Sequence, residues 1–280
     1  MTKRAKRILF YSAVAVFLLL SYGVILYAEG YAYSFSGNKF VRTGAISLRV
    51  STDAKVYLDE ELKGTTSFFN HSFSIDRLLP EDYSLKVRMD NYAVWQKRVR
   101  VEEGLVTDFS RIMLVPVSGE EKDKALAEIE EMFKPMPTPS PLPAGGPKPK
   151  PSVKPGSTNS PQASPTPVVY DKPFVLQNKT LYKNNDQILE EVAKNVSGFS
   201  LSKYNNKLLW WTTNELWVMW LADTDYQPYK KNGDKDIIMK FSSGIKNAGW
   251  FRDEDHIVVD SNGYKVLEID KRGGLNIVKL

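Results

Sequence analysis

The 280-residue chain has no cysteine and only two histidines. The first absence removes disulfides, thiolate nucleophiles and zinc–cysteine sites together. His71 and His256 lie far apart, with no serine–aspartate pattern around them and no metal spacing between them. Both are expected as ordinary turn or surface residues. Glycine-rich phosphate loops are missing too: Gly145-Gly146 and Gly273-Gly274 lack the strand–loop–helix setting such a loop needs. No catalytic constellation, no cofactor and no resident metal are therefore expected. One acidic stretch, Asp223, Asp225, Asn232, Asp234 and Asp236, offers oxygen ligands of the kind calcium takes. Asn232-Gly233-Asp234 is also ordinary turn chemistry, and no bidentate glutamate follows at the calcium-loop position.

A charge surplus is lacking where it would matter. The formal net charge is +5, but residues 1–30 carry +3 and residues 135–168 another +3. Residues 31–134 come to −2 and residues 169–280 to +1. The basic balance thus belongs to the membrane flank and a linker, and no nucleic-acid partner is expected.

Charge is absent altogether from Ile8 to Ala28. A helix over those 21 residues reaches about 30 Å, the thickness of a bilayer's hydrocarbon core. Lys3, Arg4, Lys6 and Arg7 precede it and Glu29 is the first charge after it. The positive-inside rule puts residues 1–7 in the cytoplasm and everything after residue 28 outside. Aromatic residues flank the run: Phe10 and Tyr11 on one side, Tyr27, Tyr31, Tyr33 and Phe35 on the other. The rival reading is a cleaved signal peptide, with Ala28-Glu29-Gly30 as its small-residue site. The run exceeds the usual signal core of roughly 7–15 residues, which favours a retained anchor.

Residues 29–43 form a juxtamembrane segment, and alternation begins at residue 44. Ile46, Leu48 and Val50 share one phase; Val56 and Leu58, then Leu85 and Val87, then Trp95, Val99 and Val101 repeat it. Turn clusters such as Lys63-Gly64, Pro80-Glu81-Asp82 and Asp90-Asn91 separate the runs. Residues 44–117 are expected to form a small antiparallel β-sandwich. The order of pieces resembles the PEGA domain: Gly44-Ala45, then Ala54-Lys55-Val56-Tyr57-Leu58-Asp59, Lys63-Gly64-Thr65-Thr66, Leu79-Pro80-Glu81-Asp82-Tyr83 and Asn91-Tyr92-Ala93-Val94-Trp95. Glu60, Asp82 and Asn91 stand where that family favours glycine. The resemblance implies a non-catalytic module of envelope or surface proteins.

Residues 118–134 read as a short helix. Ser118 and Glu121 make a capping-box pattern, and Leu126, Ile129 and Phe133 recur at helical spacing. Twelve of the sixteen prolines then fall in residues 135–168. That composition forms no packed core and is expected as a disordered spacer, on the order of 100 Å if extended at about 3.1 Å per residue.

Residues 169–280 carry an internal repeat about 50 residues long. Ser197-Gly198-Phe199, Lys207-Leu208-Leu209-Trp210-Trp211 and Leu216-Trp217-Val218 are matched by Ala248-Gly249-Trp250, His256-Ile257-Val258-Val259-Asp260 and Lys265-Val266-Leu267. Asn262-Gly263 is a hairpin turn. The pattern is similar to blades of TolB-like and WD-repeat-like β-propellers. The span holds roughly two to two and a half blades, fewer than closure needs, so an incomplete propeller is expected. Trp210, Trp211, Trp217 and Trp220 crowd into this region. Adjacent Trp210 and Trp211 must face opposite ways. An outward ring at Trp211 or Trp220 would offer a stacking surface to a sugar or a partner; the alternative is that neighbouring blades bury both faces.

The whole reads as mainly β: a non-enzymatic, single-pass membrane protein displaying a binding module on a spacer. Its partners would be the bilayer, through residues 8–28, and an envelope glycan or protein. Two other readings stand beside it, an envelope hydrolase whose catalytic blades lie elsewhere and a purely structural envelope protein.

Overall fold

A computed structural model describes residues 2–35, 37–134, 173–186 and 188–280. The expected spacer, 135–168, lies outside the described residues. Helix α1 (Lys3–Ala28) contains the whole uncharged run and buries no residue against the rest of the chain. It is long and apolar enough to cross a membrane. The Thr2 side chain caps its first turn, accepting from the Ala5 N–H at 3.4 Å. Gly30, at φ +81°, turns the chain out of it. The juxtamembrane segment then forms a hairpin: β1 (Tyr31–Ser34) pairs with β2 (Lys39–Arg42).

Two sheets follow, packed face to face. β3 (Gly44–Val50), β6 (Ser72–Leu78) and β9 (Val106–Ile112) make one, in the order β6-β3-β9. β4 (Lys55–Leu58), β5 (Glu61–Thr65), β7 (Asp82–Arg88) and β8 (Trp95–Arg100) make the other, in the order β5-β4-β7-β8. The alternating residues meet in one core: Ile46, Leu48 and Val50 against Val56, Leu85, Val87 and Trp95. One expectation fails, because β3 and β9 pair in parallel. The chain crosses to the second sheet between them, and such a long crossover is what parallel neighbours require. Of the glycine-like positions, Glu60 (φ +70°) and Asn91 (φ +68°) are left-handed, whereas Asp82 opens the extended strand β7.

Helix α2 (Glu120–Met132) occupies the expected place, but its capping box does not form. Ser118 instead donates to Asn91 Oδ1 at 3.0 Å, leaving Gly119 at the cap. Glu120, Glu121 and Asp123 complement the dipole of the first turn.

The C-terminal part consists of three separate antiparallel meanders, none of them closed. The first is β10 (Phe174–Gln177), β11 (Thr180–Asn185) and β12 (Ile188–Ala193). The second is β13 (Gly198–Leu201), β14 (Lys207–Trp211), β15 (Glu215–Trp220) and β16 (Lys235–Lys240). The third is β17 (Asn247–Trp250), β18 (His256–Asp260), β19 (Tyr264–Glu268) and β20 (Ile277–Lys279). The repeat legible in sequence maps β13, β14 and β15 onto β17, β18 and β19.

The meanders stack. Leu181, Leu208 and Trp210 join the first to the second. Leu209, Trp211, Val218 and Ile257 join the second to the third. Trp210 and Trp211 do face opposite ways, and both are buried because β14 has a sheet on either side. The outer face of the third meander is covered by α2 and the end of the sandwich: Ala125 and Ile129 pack with Met113, Val115, Phe251, Val258 and Val266. At β17, Gly249 admits the helix; a Cβ there would lie 2.8 Å from Met132 Sδ.

Candidate functional site at the module seam

The sandwich and the meanders meet along β8. Its residues alternate between buried and exposed, and Trp95, Lys97 and Val99 share the buried phase. Lys97 is 1% exposed. Its Nζ donates to the Asp270 carbonyl and lies 3.3 Å from Glu268 Oε1 and 3.9 Å from Asp270 Oδ1. Trp95 Nε1 donates to Glu268 Oε2 at 2.9 Å, and Asn276 Nδ2 donates to the same oxygen at 3.0 Å. Beside them the Arg98 N–H donates to the Gly273 carbonyl at 3.0 Å. Gly273 has φ +64°, and a Cβ there would sit 2.0 Å from the Arg98 oxygen.

A second set of contacts closes the exposed edge of β9. Gln227 Nε2 donates to the Val106 carbonyl at 3.0 Å, and its Oε1 accepts from the Asp108 N–H at 3.1 Å. A side-chain amide thus stands in for an edge strand. Arg272 donates to Asp270, to Gln227 Oε1 at 2.7 Å and to the Asp108 carbonyl at 2.8 Å.

Lys207, in β14, is the other buried lysine. Its Nζ donates to Asp255 Oδ1 at 2.9 Å, the Glu254 carbonyl at 2.8 Å and the Tyr226 hydroxyl at 2.9 Å. The Tyr226 hydroxyl donates to Asp255 Oδ1 at 2.9 Å. Burial, and then the negative charge of Asp255, push the Tyr226 phenol further from ionisation. From the sandwich, Arg111 stacks on the Tyr226 ring at 4.4 Å and lies 3.5 Å from Asp255 Oδ2.

His256 is 2% exposed, which corrects the expectation of a turn or surface residue. It opens β18, between sandwich and meander, and Nδ1 meets the Asp253 carboxylate at 2.9 Å. Burial opposes its charge, but the Asp253 hydrogen bond and the fields of Asp253, Glu268 and Asp255 raise its pKa. Glu268, directly opposite on β19, has its pKa raised by burial against the pull of Lys97 and His256.

Around Arg111 the seam opens into two spaces. The enclosed one, lined by Phe109, Trp220, Tyr226 and Asp255, offers about 20 Å³, room for one water. The open one is a cleft of about 520 Å³. Arg49, Arg111 and Arg252 line it, with one carboxylate, Asp253, and with Ser51, Thr52, Ser110 and Tyr92. Arg49 comes from β3, Arg111 from the adjacent β9, and Arg252 from the turn before β18. Arg252 also holds Glu128 of α2 at 2.8 Å. The sandwich supplies most of its lining, and Arg252 and Asp253 complete it from the turn before β18.

Of the two tryptophans singled out in sequence, Trp220 lines the enclosed space and Trp211 lines neither space. Trp211 and Trp220 are 7% and 3% exposed, so neither offers a free stacking face. The sheets on either side of β14 and β15 cover them. Among the acidic stretch, Asp223 pairs with Lys231 at 2.8 Å and Asp236 with Lys230 at 2.7 Å. Among the described residues no group of three acidic or histidine side chains converges as a metal site. His71 lies in a left-handed turn, its ring 2.9 Å from Asp53.

No protein-family model matches the chain, and no curated protein matches it. The seam therefore has to be read from its own geometry. Lys97 and Lys207 were the legible signals: each is a charged residue at an apolar phase of a strand. Arg49, Arg111 and Arg252 carried no such mark, since exposed arginines on strands and turns are ordinary.

Proposed function

We propose that this protein is a membrane-anchored, extracytoplasmic binding protein without catalytic activity, and that the arginine-lined cleft at its module seam takes an acidic envelope glycan. The cleft is the observation that carries the reading. Guanidinium groups pair with carboxylates through two parallel hydrogen bonds. Serine and threonine hydroxyls suit sugar hydroxyls, and the Tyr92 ring supplies an apolar face. The volume of about 520 Å³ falls in the range of small-ligand sites.

Helix α1 would hold the N-terminus in the cytoplasm, with the basic flank as its retention signal. The sandwich fits a PEGA-like module, and the three stacked meanders fit an incomplete propeller; the repeated strand order and the doubly buried tryptophans support that assignment. The meanders dock on the sandwich through buried charged contacts, so residues 135–168 would connect two touching modules.

Calorimetric titration of the full chain in detergent with a carboxylate-bearing glycan tests this. Arg49 is exposed and takes no part in docking. Arg49→Ala should weaken binding about tenfold or more, the loss of one charge-assisted hydrogen bond. Undiminished affinity in Arg49→Ala and Arg111→Ala, or no binding by the unaltered chain, would overturn the assignment.

A further inference from the structure

The hairpin that follows α1 exposes three aromatic rings. Phe35 is 88% exposed, Phe40 56% and Tyr33 38%. They form one cluster, with Tyr33 edge-on to Phe35 at 5.2 Å and to Phe40 at 5.3 Å. Lys39 and Arg42 are exposed on the same hairpin, while Val41 turns inward.

The hairpin folds back beside the helix. Tyr31, Ala32, Tyr33 and Phe40 line a groove of about 280 Å³ together with Gly23, Leu26 and Tyr27 of α1. Gly23 lies five residues before the helix end at Ala28, or about 7.5 Å back along the axis. Phe35 lies two residues past Tyr33, in the turn that follows β1. Three contacts hold this arrangement. The Thr43 N–H and hydroxyl each donate to the Gly30 carbonyl at 2.8 Å. Arg77 of β6 sits 3.7 Å over the Tyr27 ring.

We propose that the β1–β2 hairpin is a second membrane contact, seating Tyr33, Phe35 and Phe40 in the outer interfacial layer of the bilayer beside α1. The inference rests on reading α1 as a bilayer span. Tyrosine favours that layer, and exposed phenylalanine rings bury apolar area at the headgroup–acyl boundary. With Arg77 locking β6 to the helix, two points of contact fix the tilt of the sandwich, and with it the height of the cleft above the membrane.

The absence of cysteine makes the test direct. Single variants Leu18→Cys, Phe35→Cys, Phe40→Cys and Phe69→Cys of the full chain are labelled with an environment-sensitive fluorophore. Each is reconstituted into phosphatidylethanolamine–phosphatidylglycerol vesicles, with or without nitroxide-bearing acyl chains, and titrated with aqueous iodide. Phe69 is 93% exposed on a loop at the opposite end of β6 from Arg77, and serves as the solvent reference. The expected result is loss of most fluorescence to the nitroxide lipid at positions 18, 35 and 40, and full iodide quenching at 69 alone. Quenching by lipid at 18, with 35 and 40 as open to iodide as 69, overturns the hairpin contact and spares the anchor. Shielding of 35 and 40 from iodide without quenching by lipid also overturns it, since protein then covers the rings. Iodide access at all four positions removes the anchor itself. Should Phe35→Cys misfold, Phe40→Cys reports independently.

Discussion

Lys97 occupies a position that the alternation of β8 assigns to an apolar side chain. Its ammonium, wholly buried, is compensated by Glu268 and Asp270 across the seam. Removing one partner of such a group strands the others, at a cost of about 3–5 kcal/mol. Lys97→Met should lower stability by that amount in urea titrations, and adding Glu268→Gln should recover part of the loss. Opposite pKa shifts flank the same spot. Asp253 is depressed, burial notwithstanding, because His256 and two backbone N–H groups stabilise its charge. That contribution is present above the unfolded value of 3.8 and fades as pH falls through the depressed one. His256 and Glu268 are raised, so theirs is complete below 6.5 and 4.5 respectively and fades as pH climbs through the folded values. The melting temperature should therefore decline as pH rises above 6.5, and His256→Gln should flatten that limb of the profile. An unchanged slope in the variant would remove His256 from the account.

At the scale of elements, α2 shows how far a sequence pattern reaches. Its helical spacing identifies Ile129 as an inward residue, and the residue is fully buried. The pattern says nothing of what lies inward. The partner is the third meander, more than a hundred residues on in the chain, with Phe251, Val258 and Val266. Ile129→Ala should cost about 2–5 kcal/mol, the range for deleting a buried aliphatic side chain. It should also raise binding of an apolar dye by uncovering that sheet face. The turn at Gly273 is equally specific. A left-handed φ and a backbone oxygen 2.0 Å from any Cβ leave no room for alanine. Gly273→Ala should cost about 1–3 kcal/mol, mostly at the seam, and hydrogen exchange should show the Arg98 amide losing protection.

For the molecule as a whole, composition predicts a spacer that holds the C-terminal part away from the membrane, whereas the described residues pack that part against the sandwich. A protease site engineered between residues 135 and 168 discriminates between the two arrangements. Cleavage should yield two fragments that co-elute on size exclusion in detergent, held by the contacts of Lys97, Arg272, Gln227 and α2. Combining Lys97→Met with Gly273→Ala should let them separate. Fragments of the unaltered chain that part at once would show that the seam alone does not hold the modules.

Local pattern was enough for the apolar span of α1, the alternating strands of the sandwich, the helix at 118–134 and the repeat shared by the second and third meanders. Each follows from periodicity or composition over a short window, where backbone geometry dictates which side chains share a face. The Asn262-Gly263 turn is of the same kind, since both residues take the left-handed φ a tight hairpin needs. Hairpin β1–β2 was masked in the sequence: Tyr31, Tyr33 and Phe35 alternate, but the run is short and, next to the apolar span, reads as an aromatic membrane flank. The fate of the tryptophans was not legible either. Opposite facing on β14 is a matter of strand geometry, but burial on both faces depends on a sheet standing on each side. The cleft lies furthest from the sequence. Parallel pairing of β3 with β9 brings Arg49 beside Arg111, docking adds Arg252, and no window of sequence contains either contact.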